Sequence, residues 1–89
     1  MDRGLYSREH AVLQALLREV RQEAGLRQID LAARLGVQQS FVSRFEAGER
    51  LLNILELRRV CLALGVPLDE FARRLDRALH EVAPPESGR

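Results

Sequence analysis

Lysine and tryptophan are absent from the chain, and cysteine occurs once. A single thiol, Cys61, excludes an internal disulfide and a thiolate metal cluster. Aromatic residues are scarce, one tyrosine and three phenylalanines, so a core must come from Leu, Val, Ile and Ala. That palette suits helices packed on helices. No run of about 18 apolar residues exists to span a membrane, and the opening "MDRGLYSREH" carries no hydrophobic signal core. A soluble cytoplasmic protein is expected. Excess charge is missing too. The formal net charge is +1, so no global field draws a polyanion, and any nucleic-acid site must be a local patch.

What is present is a chain of 89 residues, 46% hydrophobic and 30% charged, the make-up of one globular domain. All 14 basic residues are Arg, whose planar fork suits carboxylates, phosphates and guanine edges. Residues 1–7 show no periodicity and read as a flexible tail. From Arg8 the apolar positions Leu13, Leu16, Leu17, Val20 and Ala24 recur at helical steps, and Gly25 supplies a stop. A second helix is expected from Gln28 to Leu35, burying Ile29, Leu31, Ala32 and Leu35 before Gly36. A third runs from about Gln39 to Ala47 and buries Val42 and Phe45. Asn53 and Glu56 have the spacing of a capping box and open a fourth helix with Leu57, Val60, Cys61 and Leu64 inside. Pro67 introduces a fifth, from Leu68 to about Val82, and Pro84 and Pro85 end it in a second tail over residues 83–89. No strand-like alternation survives, so the fold class is all-α, with one domain over residues 8–82.

The centre of the chain carries the chemistry. Two helices of about two turns each meet at the tight link "GVQ", Gly36 to Gln38, which permits one sharp change of direction. Such a pair forms a helix-turn-helix unit, here about residues 28–47. With Val42 and Phe45 turned inward, the third helix shows Gln39, Ser40, Ser43 and Arg44, with no acid before Glu46. A solvated helix face usually mixes acids with bases. These groups instead match base edges: Gln to adenine, Arg to guanine, Ser to either.

The segment Gly25 to Arg50, "GL.Q..LA..LGV.QS.VS..E.G.R", resembles the helix-turn-helix of the lambda-repressor and Cro-like superfamily, in its xenobiotic-response-element group. "L..VC.ALGVPLDEF", Leu57 to Phe71, is similar to that family's fourth and fifth helices. The resemblance implies a five-helix lambda-repressor-like domain, extended here by a longer C-terminal helix, that binds double-stranded DNA. It places Gln38, Gln39, Ser40, Ser43 and Arg44 on bases in the major groove. It places Gln28 and Arg50 on backbone phosphates. Arg27, where the family usually has a capping Ser or Thr, would lie beside the backbone. Arg21 and Glu46 hold positions that often form a partly buried ion pair. Phe41 either packs beside the fourth helix or touches a thymine methyl.

Relatives of this fold dimerise on the C-terminal side. Here Leu75, Leu79 and Val82 either form a self-complementary interface or fold back onto the first helix, over Val12 or Leu16. His10 and His80 fall in different outer helices and do not form the spacing of a metal-ligand set, and nothing resembles a nucleophile with its base. No enzyme activity, metal or cofactor is expected. The function expected is sequence-specific DNA-binding regulation, most simply by a dimeric repressor. The competing readings are the DNA-binding antitoxin of a toxin–antitoxin pair and a DNA-independent adaptor. A toxin or polymerase is then the protein partner.

Overall fold

The computed structural model describes residues 3–82, and the side chains from Arg8 onward. Five helices follow in order: α1 Arg3–Glu23, α2 Gln28–Leu35, α3 Gln39–Glu46, α4 Ile54–Leu64 and α5 Leu68–Val82. No strand occurs among the described residues. The helix begins at Arg3, not at Arg8 as periodicity suggests. Nothing between those positions stops a helix outright, and propagation costs little once a nucleus exists. The tail expected over residues 83–89 lies outside the described residues, as do Met1 and Asp2.

The stops and starts follow local chemistry. Asn53 accepts a hydrogen bond from the Glu56 backbone at 2.8 Å, and the Glu56 carboxylate accepts from the Asn53 backbone at 2.9 Å. Two orphan donors at the start of α4 are thereby satisfied. Gly36 closes α2 with φ 72°, a left-handed conformation that costs a residue with a Cβ. The Val37 backbone N–H reaches back to the Ala32 carbonyl at 3.0 Å, so the chain turns at once into α3.

The core draws on every helix: Leu16, Leu17 and Val20 from α1, Leu31 and Ala32 from α2, Val42 and Phe45 from α3, Val60, Cys61 and Leu64 from α4, and Phe71 from α5. Burial pushes the Cys61 thiol up to about 11, which leaves it an inert packing group. Ile29 departs from expectation and is 50% exposed. It lies one step off the Leu31, Ala32, Leu35 stripe, on the open first turn of a helix eight residues long. No neighbouring element covers it there.

α5 runs back along α1. Arg74 donates to Glu23 at 2.9 and 3.0 Å and to Glu19 at 3.4 Å, whereas Leu75 and Leu79 line a shallow groove with Glu9, His10 and Leu13. The neighbours on α1 recede as α5 advances, so the two helices are antiparallel. The guanidinium of Arg74 lowers the Glu23 carboxyl below its usual range. The C-terminal extension is thus anchored at both ends of its contact with α1.

Candidate nucleic-acid interface

α3 is held by its inner face, where Val42 and Phe45 are buried. Its outer face presents Gln39, Ser40, Ser43 and Arg44, with Gln38 at the N-cap, and all five are exposed. The Gln38 side chain makes no capping bond, so the first backbone N–H groups of α3 remain directed outward. The Arg44 guanidinium is committed to no carboxylate among the described residues. Phe41 packs inward and is half-buried, edge-on to Phe45 with ring centroids 5.6 Å apart.

The C-terminus of α3 is fixed from below. Glu46 is 2% exposed and Arg21 8%. Arg21 Nε donates to Glu46 Oε2 at 2.7 Å and Nη2 donates to Oε1 at 3.1 Å. Arg21 Nη1 also donates to the Leu26 carbonyl at 2.8 Å, and Arg18 Nη2 reaches the Glu46 carbonyl at 3.2 Å. No buried side-chain N or O among the described residues lacks a hydrogen-bond partner. α1, the α1–α2 turn and α3 are therefore joined by one guanidinium. Gln28 extends the set, since its Nε2 donates to Glu46 Oε1 at 3.0 Å. Gln39 Nε2 lies 3.5 Å from Gln28 Oε1.

Two of the arginines that the family resemblance places on phosphates are already paired. Arg27 donates from Nε and Nη2 to the two Asp30 oxygens, each at 3.0 Å. The Asp30 carboxylate also accepts from the Arg27 backbone at 2.8 Å. This is half a capping box, because Arg27 has no acceptor to return. The Arg27 side chain, with its backbone N–H second, draws the Asp30 carboxyl down to about 2, so it stays charged at neutral pH. Arg50 donates to Glu56 at 3.2 and 2.7 Å and lies 4.8 Å over the Phe41 ring. It lowers the Glu56 carboxyl, while Glu56 raises Arg50. The link after α3 is held tight at its start, where Gly48 has φ 83° and a Cβ would meet Gln14 Nε2 at 2.5 Å.

The family profile described as helix-turn-helix matches residues 17–71. That span takes in α2, the turn, α3 and the framework that holds them.

The chain belongs to the XRE-like helix-turn-helix family. An XRE-family like protein from Pseudomonas syringae pv. tomato is 36% identical, with TM-score 0.77, 83% of this chain covered and 90% of that one. The clp gene regulator ClgR from C. glutamicum is 28% identical, with TM-score 0.70 and coverage of 84% and 94%. The restriction-modification controller protein C.Esp1396I shares the fold at 24% identity, TM-score 0.74 and coverage of 80% and 91%. No curated protein matches. By family, this XRE-like chain is a DNA-binding transcription regulator.

The XRE-like framework accounts for two features that sequence reasoning missed. Arg18 and Gln28 both converge on Glu46, a contact set that spans 28 and 18 residues of chain and leaves no local signature. A second apolar face appears on the outside of α4, where Ile54, Leu55 and Leu62 are 63%, 65% and 59% exposed. Only their surplus over the inner stripe of Leu57, Val60, Cys61 and Leu64 could have signalled it. Leu75 and Leu79 are half-buried and line the groove against α1, and Val82, at 43%, is a large exposed apolar group on α5. Among the described residues, no helix is long and apolar enough to cross a membrane.

Because Glu46→Ala would strand the buried Arg21 charge, it is expected to destabilise the fold by roughly 3–5 kcal/mol. Urea unfolding followed by circular dichroism measures this, and a loss below 1 kcal/mol would contradict the role given to the pair.

Proposed function

We propose that this chain is a sequence-specific regulator of double-stranded DNA, acting as a dimeric repressor whose α3 enters the major groove. The supporting observation is the outer face of α3, which offers Gln38, Gln39, Ser40, Ser43 and the uncommitted Arg44 with no acid among them. Gln39 would read adenine and Arg44 guanine, with Gln38, Ser40 and Ser43 on neighbouring base edges. Gln28, at the N-terminus of α2, contacts the flanking phosphate. Arg27 and Arg50 take part only by exchanging Asp30 and Glu56 for phosphate. Each then contributes less than an arginine with no carboxylate to leave. Two relatives carry a gene regulator's and a controller protein's name, which supports a regulatory role. Such a protein works in the cytoplasm, needs no cofactor, and represses by occupying a promoter so that polymerase is excluded.

A single α3 touches few base pairs, so useful affinity calls for two half-sites about one DNA turn apart. The second copy docks on the outer face of α4, where Ile54, Leu55 and Leu62 are exposed. Three aliphatic side chains on one face of α4, each about 60% exposed, form the kind of patch that soluble monomers rarely leave open. The same face also suits a heterologous protein such as a toxin, the second reading.

Arg44→Ala should cost roughly 1–3 kcal/mol on the selected duplex and flatten preference at one base pair, as read by competition with single-substitution duplexes. Equal losses on specific and random DNA would remove its base-reading role. Leu55→Glu with Leu62→Glu, both at exposed positions, should weaken self-association at least about tenfold in sedimentation equilibrium while leaving the helical signal intact. A wild-type chain that sediments as a monomer at high concentration would favour the heterologous partner.

A further inference from the structure

We infer that Arg50 is a positioning residue: it clamps α3 to α4 and so sets the half-site spacing that a pair of reading helices accepts. The inference rests on the paired reading proposed above and adds what fixes its geometry. α3 packs chiefly against α1 and α2, whereas α4 packs chiefly against α2 and α5. Where Phe41 of α3 faces α4 there is a cavity of about 180 Å³, with Val37, Glu56 and Val60 also in its lining. Direct packing therefore holds the angle between these two helices only weakly.

Arg50 spans that gap. Its Nη1 and Nη2 donate to the Glu56 carboxylate at 3.2 and 2.7 Å, and Nη1 also donates to the Leu51 carbonyl. The guanidinium lies 4.8 Å over the Phe41 ring. Each end of this bridge is itself fixed. Glu56 accepts from the Asn53 backbone at 2.9 Å within the cap of α4, and Phe41 meets the buried Phe45 edge-on. A planar fork that must satisfy a carboxylate and cover a ring has few geometries open to it. The first turn of α3 is thus tied to the first turn of α4, where Ile54 and Leu55 stand exposed on the face proposed to receive the second copy.

Arg27 differs, because its partner Asp30 lies in its own turn. Exchange of Asp30 for phosphate breaks no contact between helices, whereas the same exchange at Arg50 would open the tie between α3 and α4. In a two-fold dimer joined through α4, the α3–α4 angle is carried to both half-sites and changes their separation. The clamp can penalise a wrong separation by no more than its own strength, a factor of roughly 3 to 30 per copy for an exposed ion pair with a cation–π contact.

The test compares binding to the selected duplex with binding to duplexes that carry one base pair more or fewer between the half-sites. Arg50→Met keeps an unbranched stem over Phe41 and loses the guanidinium. Glu56→Gln keeps an acceptor for the Asn53 cap and loses the charge. Each, once circular dichroism shows it folded, should lower the preference for the selected spacing at least about threefold and leave base preference within a half-site unchanged. The two substitutions change local charge in opposite directions, so a shared effect on spacing is not electrostatic. An Arg50 that serves phosphate gives another result. Arg50→Met then reduces the salt slope by about 0.9 per copy, Glu56→Gln tightens binding to every duplex, and spacing preference stays as in wild type. Unchanged spacing preference in either variant overturns the inference while leaving the paired reading standing. Free protein supplies an independent readout. Residual dipolar couplings of the α3 amides should shrink relative to those of α4 in both variants, and unchanged couplings also overturn it. A wild-type chain that selects a single half-site, or none, removes the paired reading and this inference with it.

Discussion

The arrangement depends on one buried ion pair. Arg21 and Glu46 come from α1 and α3, at 8% and 2% exposure, and meet through two nitrogen–oxygen contacts of 2.7 and 3.1 Å. Removing two charges from water is costly, and an apolar pair of the same volume would often be as stable. Direction is what an apolar pair could not supply. A guanidinium with a fixed fork and a carboxylate with two acceptors meet in few geometries, and a third Arg21 donor fixes the α1–α2 turn through the Leu26 carbonyl. α3 is only eight residues long, too short to be oriented by a long apolar stripe. The ion pair gives it a register that Val42 and Phe45 alone would leave looser.

Several arginines elsewhere in the molecule are neutralised in place. Arg27 faces Asp30, Arg50 faces Glu56, and Arg74 faces Glu19 and Glu23. The 14 arginines of the chain are matched by 13 acidic residues, which leaves a net charge of only +1. On the outer face of α3, Arg44 has no carboxylate partner among the described residues. Phosphate attraction is correspondingly modest, so discrimination between sequences would rest more on base contacts than on a basic surface.

Much of the fold was legible in the sequence, for identifiable reasons. Gly36, Gly65 and the Asn53–Glu56 box punctuate the helices with groups whose conformational demands are local, so α2 to α5 could be bounded closely. The start of α1 could not, because residues 3–7 carry neither a stop nor a stripe. Burial was legible wherever the stripe faced a neighbour and failed at Ile29, on an uncovered turn. Of the candidate site, α3's outward residues follow from periodicity and from the family's pattern. The pairing of Arg27 and Arg50 was harder to foresee, since local acids and distant phosphates compete for the same side chains. The convergence on Glu46 spans the whole helix-turn-helix and is visible only once the helices are packed. The outer face of α4 was overlooked because an apolar surplus on a helix reads as core until exposure is known.

Under the proposed function, α3 is held out to read DNA sequence in pairs. Selection of bound duplexes from a random pool, with purified protein at near-physiological salt, tests it most directly. A dimer reading with two copies of α3 selects a two-fold symmetric motif whose half-sites lie about one DNA turn, roughly 34 Å, apart. Recovery of no motif above background by folded protein would contradict it.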